Sequence, residues 1–349
     1  MIYYVYPMWH RVSFSMIAKK HVEQLRKYYR VYEIDELALR HMSLASSPIM
    51  ILHPYFFPLK YYGQRIERIR HKVKALIGID VADSDHISNV AVSMTHYSDA
   101  MVVPSTWAKE AYIRSGVRVP VYVVPHGVDR YYFERKTEGK YFHDLRKLKE
   151  KKNLKFLLYF CWHSEYRKGF DLVIDVYRRL LHERKDVVLV TKLMSYTGLW
   201  QDFVRRYGGI IVAGWLNEEQ KLLLYDLCDV YLLFSRGGGF ELNGLEALAR
   251  GEVVLAADQG SWTDYLPSFC LIPSRSCPYV LKDNPIHDGK GVEIIVNKAV
   301  DKICEVLDDL EEYKTLVREY VSRRIRHEFT WEAVGRKLAN IIRTIGSRL

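Results

Sequence analysis

Short apolar runs alternate with amphipathic stretches along almost the whole chain, the pattern of βα units wound around parallel sheets. Strands are predicted near residues 2–6, 31–34, 48–52, 75–81, 100–103 and 121–124, with helices near 14–29, 59–74, 87–97 and 105–115. A charged stretch, KLKEKKNLK at 147–155, reads as a linker. The alternation then resumes, with strands near 155–160, 187–191, 209–213, 229–234, 252–255 and 269–272. The reading is α/β, with two Rossmann-like, doubly wound domains at 1–148 and 149–330. A last helix over 331–349 is expected to return to the first domain. A chain of 349 residues is long enough for two such cores.

Composition narrows the setting. No segment is apolar for about 20 residues, so no membrane-spanning helix is expected. The stretch Met1–Tyr6 reads as a first buried strand rather than a signal peptide. Cys161, Cys228, Cys270, Cys277 and Cys304 form an odd set without a C-x-x-C pair, which fits a reducing cytoplasm. A Cys270–Cys277 bridge is a minor alternative. Scarce glutamine and asparagine beside abundant arginine, lysine and tyrosine lean toward a thermophilic source.

The net charge of +10 favours anionic partners. Part of it lies in 60–74, where Lys60, Arg65, Arg68, Arg70, Lys72 and Lys74 face Glu67 alone. Ile66, Ile69, Val73 and Leu76 recur there at helical spacing. One reading is a surface helix docked on its own core; the other is a peripheral helix on an anionic membrane, at the inner face. No aromatic-interleaved basic ribbon or zinc-finger spacing argues for nucleic acid.

The chemistry concentrates in 231–251. An apolar strand from Tyr231 to Phe234 runs into Ser235 and the turn Gly237-Gly238-Gly239, followed by a short helix ending at Gly251. Strand, glycine turn and helix N-terminus form an anion site through converging backbone N–H groups. The turn is not a dinucleotide fingerprint, because Leu242 stands at the third glycine.

This segment resembles the donor-sugar motif of family 4 GT-B glycosyltransferases, which reads S-R-G-E-G-F-G-L-P-x-x-E-A-x-A-x-G. Ser235, Arg236, Gly237, Gly239, Phe240, Leu242, Glu246, Ala247, Ala249 and Gly251 match it. Asp99–Ser105, Val124–Asp129 with Phe133, Arg167-Lys168-Gly169-Phe170-Asp171, Gly214-Trp215-Leu216 and Phe329-Thr330-Trp331-Glu332 resemble further family segments in order. Three positions depart. Gly238 replaces the first of two paired acids, Glu241 stands where the family has glycine, and Asn243 where it has proline. The glycine-rich first loop is also missing; Pro7–Ser13 takes its place.

The resemblance implies a GT-B fold, two Rossmann-like domains facing a cleft, and retaining, metal-independent transfer from a UDP- or GDP-linked sugar. No cofactor is implied; the nucleotide sugar is a co-substrate, and the acceptor is an unknown glycan, lipid or protein-linked group. Lys168 and Arg167 would meet the departing diphosphate. Cations at a helix start oppose its dipole, which favours that role over a solvated one. His163 stands where the family often adds an arginine. Gly237, Gly238, Gly239, Phe240, Leu242 and Asn243 would line the donor, and Glu246 would bind its ribose. Glu246 also fits a capping box from Asn243. Trp215 and Leu216 would border the base, or belong to the core. Glu241 would supply a displaced carboxylate. In the first domain Asp83, Asp85 or His86 would approach sugar and acceptor, or serve as turn and cap residues. His126 would touch phosphate or simply shape a turn.

Two rivals remain open. Gly238 and His163 fit a non-catalytic or weakly active GT-B protein that binds nucleotide or glycan. Asp83-Ser84-Asp85 matches the D-x-D of metal-dependent GT-A transferases. An NAD-type oxidoreductase lacks its fingerprint.

Overall fold

The computed structural model describes residues 1–10, 12–44, 47–134 and 139–348, without the side chain of 348. Arg11, in the loop that replaces the glycine-rich one, lies outside the described residues. The chain divides into two compact units: 1–127 with 281–290 and 328–349, and 128–280 with 291–327.

The first unit holds a six-stranded parallel sheet of β1 (Ile2–Tyr6), β2 (Val31–Asp35), β3 (Ile49–Leu52), β4 (Ala75–Ile79), β5 (Ala100–Val103) and β6 (Val121–Val123). Their order is β2-β1-β3-β4-β5-β6. β4 is buried along its length, as its unbroken apolar run requires of a central parallel strand. Ile2, Tyr4, Ile51, Ile77 and Val102 share one core with Leu338 and Ile342 of the last helix, Trp331–Arg348. That helix packs against Ser13–Leu25. At the turn before it the backbones run close, since a Cβ on Gly127 would lie 2.6 Å from the Trp331 nitrogen.

Met50, Leu52, Leu76 and Met101 face the second core. The basic helix Phe56–Arg70 docks there through Ile66 and Ile69, followed by Val73. Its apolar stripe is spent on the unit's own core, and Arg70 pairs with Asp99 at 2.5 Å. No helix among the described residues is long and apolar enough to cross a membrane. Ser105 caps the helix Thr106–Arg114 by accepting from the Ala108 N–H at 3.1 Å. Gly116 takes the left-handed conformation just past its end, φ +91°.

The second unit carries β7 (Lys155–Cys161), β8 (Val187–Leu193), β9 (Ile210–Ala213), β10 (Val230–Leu233), β11 (Val253–Ala257) and β12 (Leu271–Ile272). The order is β12-β11-β10-β7-β8-β9, again parallel. The chain reverses direction across the sheet between β7 and β10, and the carboxyl ends of those strands open a crevice where ligands bind in such sheets.

Two features depart from the sequence reading. The charged stretch is no linker: His143–Lys152 is a helix of the second unit, and Lys149 lies 2.7 Å from Asp229. The contact division therefore falls after Gly127, not at 148. A hairpin of β13 (Ser274–Cys277) and β14 (Gly291–Ile294) also escaped notice. Between its strands the chain leaves to join the first unit over 281–290. All five cysteines are free thiols, so the Cys270–Cys277 bridge does not form.

Candidate active site

The second unit gathers the donor-side residues around the switch point. Arg167 and Lys168 close the short helix Glu165–Lys168, and Gly169 (φ +73°) turns the chain into Phe170–Glu183. The two cations thus end one helix rather than begin another, and the dipole argument for them does not hold. A Cβ on Gly169 would collide with the Phe234 carbonyl, so only glycine lets this turn meet the end of β10.

Beyond β10, Ser235 and the Gly237–Gly239 turn are buried. Arg236 is buried too, but it is a brace. It grips Asp171 through two 2.7 Å bonds, reaches Glu293 at 3.0 Å, and lies 3.9 Å over the Tyr166 ring. Asp171 is the first-turn acid of Phe170–Glu183, so this fork ties the glycine turn to the helix that follows Lys168.

Glu241 is the residue that changes the reading of Gly238. Its backbone is left-handed, φ +63°, an uncommon state for a residue with a side chain. Its carboxylate lies 2.5 Å from Lys168 Nζ and 3.5 Å from Arg167 Nη1. The Ser235 hydroxyl donates to it at 3.0 Å. The Tyr265 hydroxyl holds its carbonyl at 2.8 Å. A Cβ at position 238 would run into Glu241 Oε1 and lie 3.3 Å from Arg167 Nη1. The space of the missing acid's side chain is therefore filled by a carboxylate from three residues on.

Glu246 does not complete a capping box with Asn243. The helix starts at Leu242, with Asn243 already inside it. The Glu246 carboxylate is buried and takes a 2.9 Å bond from Lys221 Nζ and another from the Tyr225 hydroxyl. Burial works against the Lys221 ammonium, but Glu246 and Glu218 outweigh it and hold its pKa above the ordinary value. The unit's true capping box is Asn217 with Gln220, which opens Glu218–Leu227 and aims Lys221 and Tyr225 at Glu246. Sequence reasoning missed both partners, although they lie four apart on one helix. Phe240 is buried against Tyr265, and Leu242 is half-buried. Trp215 follows Gly214 (φ +85°) at the end of β9 and is 54% exposed, so the core reading fails for it. Leu216 is half-buried. His163 is exposed beside Ser164, 2.8 Å from its hydroxyl.

The remaining candidates belong to the first unit. Asp85 accepts from the Lys290 N–H at 2.7 Å, and His86 pairs with Asp288 at 3.1 Å. The Asp83 N–H donates to His287 Nδ1 at 3.4 Å. The segment 281–290 thus straps the 83–88 loop. His126 is buried with His21, His53 and Trp331. The Tyr4 hydroxyl lies 2.8 Å from Nδ1 of both His21 and His53, donating to one ring and accepting from the other. Burial lowers all three histidines, His21 and His126 to about 3.

The family described as "Glycosyl transferases group 1" matches residues 155–276, the strand-to-strand span that holds the glycine turn and both cations. The chain belongs to the group 1 glycosyltransferases and has the GT-B fold. "Uncharacterized protein 356" of Sulfolobus islandicus rod-shaped virus 1 is 36% identical to this transferase over 98% of both chains. HepE of Anabaena, solved with UDP and glucose, aligns at TM-score 0.73 over 98% of this chain and 99% of its own, at 13% identity. A sucrose-phosphate synthase of Thermosynechococcus elongatus aligns at TM-score 0.72 over 100% and 99%, at 14% identity. With two Rossmann-like sheets in place, the GT-A alternative built on Asp83 and Asp85 falls.

Proposed function

We propose that this glycosyltransferase moves a sugar from a UDP- or GDP-linked donor to a glycan, lipid or protein-linked acceptor, with retention and without a metal. One observation carries the reading: the Glu241 carboxylate sits against Lys168 and Arg167, in the space that a side chain at 238 would need. A decayed site would show an acid lost with nothing in its place. Here an acid is supplied from another position, at the cost of an uncommon backbone state. HepE, solved with UDP and glucose, supports a nucleotide-sugar donor.

The chemistry follows from the charges. A departing nucleoside diphosphate needs cations at its oxygens, and Lys168 and Arg167 supply them in a partly desolvated corner. On binding, the diphosphate replaces Glu241 as their partner. The carboxylate is then free to accept hydrogen bonds from donor-sugar hydroxyls. Glu246 orients the ribose, its own geometry fixed by Lys221 and Tyr225. Two cations at the leaving group make a divalent ion unnecessary.

The test is thermal shift and sugar release with UDP- and GDP-sugars, with and without EDTA. Stabilisation by one series with EDTA-insensitive release is the expected result. Loss of release in EDTA that added Mg²⁺ restores would overturn metal independence. Nucleotide binding without any release, with acceptor mixtures present, would favour the non-catalytic reading.

A further inference from the structure

One charged side chain of the donor unit has no role in the chemistry above. Lys192 lies inside the apolar strand β8 and is 8% exposed. Among the described residues its ammonium has no carboxylate or carbonyl partner; its neighbour is the Trp162 ring, 4.2 Å from Nζ to centroid. A lysine whose stem is held in an apolar strand, with its cation on an aromatic face and no anion beside it, is a candidate for ligand contact.

Its placement says which part of the donor it meets. Lys192 is in register with Phe160 on β7 and Val212 on β9, so the three side chains share one face of the sheet. Phe160 stacks on Tyr225 at 5.4 Å, and Tyr225 bonds Glu246. Lys192 therefore shares the Glu246 face, one strand farther from the glycine turn than Phe160. Trp162, whose ring it touches, meets the exposed Trp215 edge-to-face at 5.8 Å. The cation is thus set beyond the ribose acid and beside two half-open indoles, where a nucleobase lies if Glu246 holds the ribose.

We propose that Lys192 reads the donor nucleobase, donating to an exocyclic carbonyl such as those of uracil or guanine, and thereby selects against adenine. This rests on the donor reading given above. A lysine only donates, and adenine presents an exocyclic amine where guanine presents a carbonyl. Burial also draws the Lys192 ammonium down to about 8, so the contact weakens as pH rises through that value.

The experiment is calorimetric titration of the full chain and of Lys192→Met with UDP, GDP, ADP and inorganic pyrophosphate, at pH 7 and pH 9. Wild type is expected to prefer UDP or GDP over ADP, and the variant to lose about tenfold of that preference. Pyrophosphate affinity should not change. The wild-type preference should shrink at pH 9 while the variant's stays level, a readout that survives even if the variant folds poorly. An unchanged nucleotide ratio, or an equal loss for pyrophosphate, would overturn the proposal while leaving the donor reading intact. Failure of wild type to bind any of the four would overturn both.

Discussion

Replacing Glu241 by glutamine removes one negative charge and almost no volume, so it isolates what the carboxylate does. In the unliganded enzyme Lys168 and Arg167 lose their shared anion; their side chains are 21% and 11% exposed, against 5% for Glu241. Charge-assisted hydrogen bonds of this kind contribute about 1.5–3 kcal/mol, and solvent at Lys168 reduces the figure to about 1–3. For a unit of this size each kcal/mol moves Tm by about 2–4 °C, so a fall of about 2–12 °C is expected. Binding of UDP or GDP should move the other way, being equal or tighter because no carboxylate competes for the cations. Turnover should fall about 10- to 100-fold, because the donor sugar loses a charged acceptor. Calorimetry of nucleotide binding beside a sugar-transfer assay separates these signs. The reasoning is refuted if turnover is unchanged, or if nucleotide affinity and turnover fall together as they would for a merely structural acid.

Three further outcomes are expected. Gly238→Glu restores the family's acid but drives a Cβ into Glu241, so transfer should be lost; a gain would mean a decayed site. Glu246→Ala takes the carboxylate from the Tyr225 hydroxyl and leaves Lys221 with Glu218 alone, costing about 1–3 kcal/mol and weakening nucleotide binding, read by unfolding and titration. The first unit should lose stability as pH falls below about 6.5, because unfolded histidines take up protons that buried His21 and His126, at about 3, refuse. Each contributes about 1.4 kcal/mol per pH unit in that window. Urea titrations at pH 7 and pH 5 would show it, and an equal stability at both values would count against it.

Much of the fold was legible because parallel strands buried on both faces must be apolar runs, and these runs marked the positions of twelve strands. The hairpin of β13 and β14 was missed because three of the four residues of Ser274–Cys277 are polar and the strand pair is short. The helix at 143–152 looked like a linker because none of its residues is buried; Lys149 ties it to the unit through Asp229, the Leu227 carbonyl and the Phe156 ring. At the site, the glycine turn stood out by residue type and spacing, and its cations were singled out by the resemblance to the family's motif. That Glu241 folds back over Gly238 was not legible, since it depends on a left-handed backbone no pattern announces. The capping-box reading of Glu246 failed for a related reason: the helix begins two residues earlier than an Asn243 cap requires, and tertiary partners took its carboxylate. Lys192 did leave a signal, a lone charge within an apolar strand.

The most direct measurement is a ¹H NMR time course of wild-type enzyme with a panel of UDP- and GDP-hexoses in EDTA, following the anomeric proton of released or transferred sugar. The account predicts that one donor series is consumed and that the first product keeps the donor's anomeric configuration, with the rate cut by Glu241→Gln. An inverted first product, or a rate indifferent to that substitution, would contradict it.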